Sequence, residues 1–248
     1  MIVAIHQPHY FPWLRYMHKI ASCDVFVLLD DTQYEKNGWQ NRNKIKGPNG
    51  PILLTVPVRH ASFRPICEVE INTQAAWQEK HWKSLVTCYG KAPYFRRYAP
   101  AFEQILATPW ERLAALNVRL IEELAGAYGI RCRIVLSSRL DVPGVATERL
   151  IGICRKLEAT QYLSGEFAAG NHLDAQFFTD SGFRLGIQNW SCPTYNQQFP
   201  GLGFIPELSC IDLLFNEGPH SLDRLMRLAP AQGRDTAVDQ EISFPITK

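Results

Sequence analysis

Apolar positions along this chain follow two rhythms. An unbroken run from Ile2 to Ile5 reads as a strand buried on both faces. Phe11, Leu14, Met17 and Ile20/Ala21 then recur at helical spacing, with Pro12 suited to the first helical turn, where its missing N–H costs nothing. A second buried strand, Val25 to Leu29, ends in Asp30-Asp31. Residues 30–50 lose the pattern and read as a long polar connection, with turn signals at Asn37-Gly38 and Gly47-Pro48-Asn49-Gly50. Strand character returns over 52–58 and, more weakly, 66–71. From Trp77 the rhythm is helical. Trp77, Trp82, Leu85, Val86 and Tyr89 predict a helix closed by Gly90 as a C′ glycine. Tyr94 to Leu106 predicts a second helix. A third opens at Pro109 behind Thr108 as N-cap, carries Leu113, Leu116, Leu120, Leu124 and Tyr128, and closes at Gly129. Strands at Ile134–Leu136, Gln161–Leu163 and Arg184–Ile187 then alternate with helices at Thr147–Leu157, Leu173–Phe178 and Leu208–Phe215, the last capped by Gly218.

This alternation predicts an α/β protein with a mainly parallel, Rossmann-like sheet flanked by helices. The organisation it implies is one α/β domain over 1–229, a helical insertion around 76–128 and a C-terminal tail over 230–248. Polar groups gather where strands end, and open α/β sheets bind ligands there.

Composition narrows the class. The 248 residues are 46% hydrophobic and 20% charged, with a net charge of +2, which gives no electrostatic case for a nucleic-acid or membrane partner. No apolar run reaches membrane-spanning length, and the N-terminus lacks the pattern of a secretion signal. The seven cysteines form no CxxC and their number is odd, which argues against a disulfide framework or structural zinc site. The expected compartment is the reducing cytoplasm, and the expected partner a small molecule.

The loop after the first strand, His6-Gln7-Pro8-His9-Tyr10-Phe11-Pro12, carries the densest chemistry. His6 and His9 are acid–base candidates because imidazole titrates near neutrality; the bland alternative is a backbone hydrogen bond. Asp30 and Asp31 could hold Mg²⁺ or a ribose, orient a histidine, or cap a turn. Gln40, Asn41, Arg42, Asn43 and Lys44 offer donors to an anionic substrate, with Trp39 and Tyr34 interleaved to stack on a ring. Lys80-His81 lies early in a helix, and His81 faces either the core or the first loop. Ser164-Gly165 ends a strand in a turn whose backbone N–H groups suit a phosphate or carboxylate. GxSxG, Walker A and full GxGxxG patterns are absent, which disfavours serine hydrolases, P-loop enzymes and common dinucleotide sites.

Taken in order, HQPHYFPWLRYMHKI, DVFVLLDDTQYEKNGWQNRNKIKG, LTVPV, KHWKSLVTCYGKAPYF, YLSGEFAAGNHL and LSCIDLLFNEG resemble the WbqC-like proteins over roughly residues 2–218. Arg15 departs from the glycine that family leads one to expect after Trp-Leu. The resemblance implies a bacterial cytoplasmic protein of O-antigen or other surface-glycan synthesis. Its substrate would be a nucleotide-linked sugar or an activated amino acid, with glycine or aminoacyl transfer as one reaction. The matching positions are His6, Gln7, Pro8, Tyr10, Pro12, Trp13, Asp30, Asp31, Gln33, Trp39, Asn41, Arg42, Lys44, Lys80, His81, Ser164, Gly165 and Asp212. On this reading His6, with His9 and His81, is catalytic, and His6 is the general base. Gln7, Tyr10, Gln33, Trp39, Asn41, Arg42, Lys44, Lys80, Ser164 and Gly165 bind substrate, and Asp30 and Asp31 are candidate ligands for Mg²⁺. The strand–loop–helix–strand start is also similar to nucleotidyltransferases with an HxGH motif. Here that slot reads Tyr10-Phe11-Pro12-Trp13 without either histidine. A nucleotidyltransferase-like enzyme with a degenerate motif, or a non-catalytic binder of a glycan assembly complex, are the alternatives.

Overall fold

The computed structural model describes residues 1–59, 61–166 and 174–227. In chain order it opens with β1 (Ile2–His6), α1 (Leu14–Ala21) and β2 (Val25–Leu28). Next come β3 (Arg42–Gly47), β4 (Gly50–Thr55), β5 (Val58–Arg59), β6 (Glu70–Ile71), α2 (Trp77–Tyr89), α3 (Phe95–Ala107) and α4 (Leu113–Tyr128). The chain then forms β7 (Arg133–Leu136), α5 (Ala146–Lys156), β8 (Gln161–Ser164), α6 (Ala175–Asp180), β9 (Arg184–Ile187), α7 (Cys210–Glu217) and α8 (Ser221–Met226).

The central sheet is five-stranded, in the order β7-β2-β1-β8-β9, and every pairing is parallel. Parallel sheets are covered on both faces, so their strands are apolar at successive positions. In β1 and β2, Val3, Ile5, Val25 and Val27 pack with Ile151, Ile153, Cys154, Tyr162 and Phe178 on one side. Ala4, Phe26 and Leu28 face the larger core on the other side, with Leu14, Met17, Leu116 and Leu120. Each such aliphatic or aromatic side chain stabilises the fold by about 1.5–3 kcal/mol when fully buried. From β1 the chain builds outward through β2 to β7, then returns to lay β8 on the other side of β1. The switch point, where α/β sheets open a crevice, therefore lies at the carboxyl ends of β1 and β8.

The structure differs from the sequence reading at several boundaries. Residues 30–50 are not one connection: Arg42–Gly47 pairs antiparallel with Gly50–Thr55 across Pro48-Asn49. Polar residues hid this strand, because Asn43 and Lys46 point inward and are buried with hydrogen bonds. The hairpin and the β5–β6 pair stand apart from the central sheet. Helix α1 begins at Leu14, so Pro12 precedes it. Helix α4 begins at Leu113 rather than Pro109. The intervening Trp110 donates Nε1–H to the Ile105 carbonyl (2.7 Å), and Thr108 Oγ1 closes α3 on Gln104 (2.9 Å). Gly90 keeps a right-handed φ of −57°, whereas Gly129 takes +73° and ends α4 as expected. Helix α7 starts at Cys210 behind Ser209, whose side chain accepts from Ile211 N. The expected tail over 230–248, Leu173 of the expected helix, and Phe167–Leu173 of the family-like motif lie outside the described residues. Among the described residues no helix is long and apolar enough to cross a membrane.

Candidate functional site

The β1–α1 loop is held by donors from four directions. Asn117 of α4 donates Nδ2–H to the carbonyls of Pro8 (3.1 Å) and Gln40 (2.7 Å). Asn43 of β3 donates to Phe11 O (2.7 Å), Cys210 N to Pro12 O (2.8 Å), and Tyr16 Oη to Gln7 O (3.0 Å). Phe11 sits at φ +40°, a region that costs a non-glycine residue about 1–3 kcal/mol and persists only where its surroundings over-determine it. Such fixing is what preorganises a binding loop. Asn117→Leu removes the donor to two buried carbonyls, each costly to leave unpaired. It is expected to lower stability by about 2–4 kcal/mol. A urea midpoint unchanged from wild type would refute the clamp.

The loop forms one wall of a cavity of about 700 Å³ at the switch point, within the range of small-molecule sites. Its lining includes His6, Gln7 and His9 from the loop side, Trp13, Tyr16 and Lys19 around α1, Trp39 and Gln40 from the segment before β3, and Gly165 after β8. The rings of His6 and His9 meet edge to face at 4.7 Å, and Trp13 meets Trp39 at 5.3 Å. Gln40 donates Nε2–H to Gln7 Oε1 (2.8 Å). At the rim Arg15 pairs with Glu166 (3.2 Å) and lies over the Trp190 ring (5.4 Å).

Burial sets the electrostatics. It holds His6 well below the usual imidazole range, helped by the neighbouring His9 and Lys19. It pushes His9 down to about 3 and the Lys19 ammonium to about 8. His6 Nδ1 faces the Gln7 carbonyl (3.2 Å). A ring nitrogen opposite a carbonyl oxygen must carry the proton, so Nε2 keeps the lone pair. His6 is thus a neutral imidazole oriented as a base at the edge of the cavity. Two buried polar atoms of the lining residues, His9 Nδ1 and Gln40 Oε1, have no hydrogen-bond partner among the described residues.

Of the residues singled out from sequence, His6, Gln7, His9, Trp13, Trp39, Gln40 and Gly165 line this cavity. The others go elsewhere. Tyr10 turns into the core and hydrogen-bonds His81 Nδ1 (2.8 Å), which places His81 behind the loop. Lys80 and His81 line a separate, shallower depression beside β4. Asn41 donates to Val56 O (2.8 Å). Arg42 bonds the carbonyls of Asn37 and Gly38, bracing the loop that carries Trp39. Lys44 lies over the Trp39 ring (5.7 Å), and Gln33 is exposed beside Pro65. Ser164 is buried with Oγ on Gly165 O (3.1 Å). Asp30 accepts from Ser138 N (3.0 Å), Ser138 Oγ (2.7 Å) and Ser137 Oγ (3.2 Å). Asp31 accepts from Ser137 Oγ (2.5 Å) and is paired with Arg149. The two carboxylates join the loops after β2 and β7, and with a guanidinium and two hydroxyls on their oxygens they do not fit a Mg²⁺ site as arranged. Sequence reasoning missed Lys19 and Asn117, because each interrupts an apolar helix stripe without any local motif. It assigned Arg15 no role at the site.

The model of the WbqC-like protein family matches residues 7–224. The chain is also 34% identical over 225 residues to the uncharacterized protein Rv1507c of Mycobacterium tuberculosis (strain ATCC 25618 / H37Rv), covering 90% of this chain and 96% of the mycobacterial one. No solved structure matches.

Proposed function

The chain belongs to the WbqC-like protein family, and from that premise we propose that it is a small-molecule transferase of bacterial surface-glycan synthesis. The observation that carries this reading is the neutral His6, oriented through Nδ1–H, beside a crevice with an aromatic wall. The substrate is a nucleotide-linked sugar or an activated amino acid. Its sugar or base ring lies against Trp13 and Trp39, and Gln7 and Gln40 offer amides to hydroxyls. Transfer of an acyl group to an amine or hydroxyl needs a base within hydrogen-bond reach of the nucleophile. His6 Nε2 removes the nucleophile's proton as the new bond forms, and the leaving group departs with the donor's bonding pair. No step passes through Asp30 or Asp31, which serve the two loops they join.

The test is a thermal-shift panel of UDP- and dTDP-sugars, nucleoside phosphates, glycine and other amino acids, each with and without Mg²⁺. A ligand that binds the native state alone raises the melting temperature by mass action. A shift is expected with a nucleotide-sugar or activated amino acid, and Trp39→Ala is expected to abolish it. A triphosphate-specific, Mg²⁺-dependent shift would favour the nucleotidyltransferase alternative. Silence across the panel would overturn the assignment of this crevice.

A further inference from the structure

We propose that the floor of the crevice is an anion-recognition site in which Lys19, with His9 beside it, receives a carboxylate or phosphate of the substrate. This inference rests on the crevice being the reaction site and names the group that decides what enters it. Lys19 lines the cavity although only 3% of its surface is exposed. Its one hydrogen bond among the described residues runs to the Ile5 carbonyl (2.9 Å), and no carboxylate there pairs with it. A cation withdrawn from water without a counter-charge is expensive, and structures normally pair it or neutralise it.

The carboxylates that line the cavity are engaged elsewhere. Glu35 accepts from Gln7 Nε2 (3.4 Å), and Glu166 is held by Arg15. A second observation points to the same ligand. His9 is 4% exposed, lines the same cavity, and leaves Nδ1 without a partner among the described residues. A buried ammonium with one hydrogen bond and no carboxylate partner, and a buried imidazole with a spare ring nitrogen, on two residues that line one cavity, are complementary to a single oxyanion. The His6 ring, in contact with His9, sits beside that position, so the anion also fixes the reacting part of the substrate near the base.

The probes are sulfate, for a phosphate, and N-acetylglycine, for a carboxylate, titrated calorimetrically into the full chain. Lys19→Met keeps the length of the side chain and removes the charge. It is expected to weaken binding by about 10- to 100-fold, the size of one charge-assisted hydrogen bond, with Lys19→Arg restoring part of it. The arm that responds identifies the anion. The groups around Lys19 are His6 on β1, His9 on the loop, Tyr16 on α1, Tyr162 on β8, and Arg15, Glu35 and Glu166 at the rim, all lining the cavity, with Cys23 just after α1 close enough to act on its charge. Burial keeps both imidazoles and the Tyr16 and Tyr162 phenols uncharged near neutral pH, and the hydrogen bond with Cys132, helped by burial, keeps the Cys23 thiol protonated. Wild-type affinity is therefore expected to fall as pH rises from about 7 to about 9.5, through the Lys19 value near 8. A folded Lys19→Met that binds like wild type overturns the proposal. So does a flat wild-type profile, which decides the case where the variant fails to fold, and so does wild-type silence to both probes. His6→Asn separates the two readings: it is expected to keep anion affinity while kcat falls by about 10²- to 10⁴-fold. Lys19-dependent binding without turnover on any panel substrate would count against the transferase reading alone.

Discussion

His6→Asn is expected to lower kcat by about 10²- to 10⁴-fold, the usual contribution of a general base, with KM and melting temperature near wild type. The substitution is chosen for its geometry. The asparagine amide can reproduce the Nδ1–H donor that meets the Gln7 carbonyl at 3.2 Å, so the loop keeps its local bond. It has no counterpart to Nε2, the nitrogen left to take a proton. His9 is not expected to substitute, because in the proposed anion site it holds the anion of the substrate together with Lys19. A rate within a few-fold of wild type, measured on whichever substrate the panel identifies, would remove His6 from the chemistry. A parallel loss of kcat and melting temperature would instead make it a structural residue.

Acidification is expected to destabilise the whole fold between about pH 6.5 and pH 5. His9 and His81 are buried and neutral, with values pushed down to about 3 and about 4, and His6 is lowered as well. In the unfolded chain each titrates near 6.5, so below that pH the unfolded state binds more protons. Stability is complete above the unfolded value and is lost as pH falls toward the folded one. At pH 5 each buried histidine costs about 2 kcal/mol, and His9 with His81 together about 4 kcal/mol, a large fraction of a typical domain's 5–15 kcal/mol. Asp212 acts in the opposite sense. It is buried between Tyr89 and Tyr195 (2.8 Å each) with its carboxyl raised, so protonation relieves it, but it is one group against several. Melting temperature measured across this range is expected to drop steeply, and His81→Gln to flatten the profile. An unchanged melting temperature from pH 7 to pH 5 would show that these imidazoles are not buried as described.

What the sequence determined by itself is the set of features that short-range physics controls. Unbroken apolar runs at Ile2–Ile5 and Val25–Leu29 read as strands covered on both faces, and their alternation with helical stripes predicts the parallel α/β sheet that is found. The cluster at His6, Gln7 and His9 was legible because three polar groups follow a buried strand directly. Tertiary structure decided which other residues join them. Lys19 belongs to the site because α1 folds back over β1, which carries a lysine from an otherwise amphipathic helix to the Ile5 carbonyl. Asn117 clamps the loop from more than a hundred residues away. Asp30, Asp31, Arg42 and His81, each plausible beside the loop in sequence, are drawn off by Ser137 and Ser138, Arg149, the Asn37-Gly38 backbone and Tyr10. A polar side chain in a folded protein bonds the nearest complementary group in space. That neighbour is set by how strands and helices pack, and spacing along the chain does not encode it.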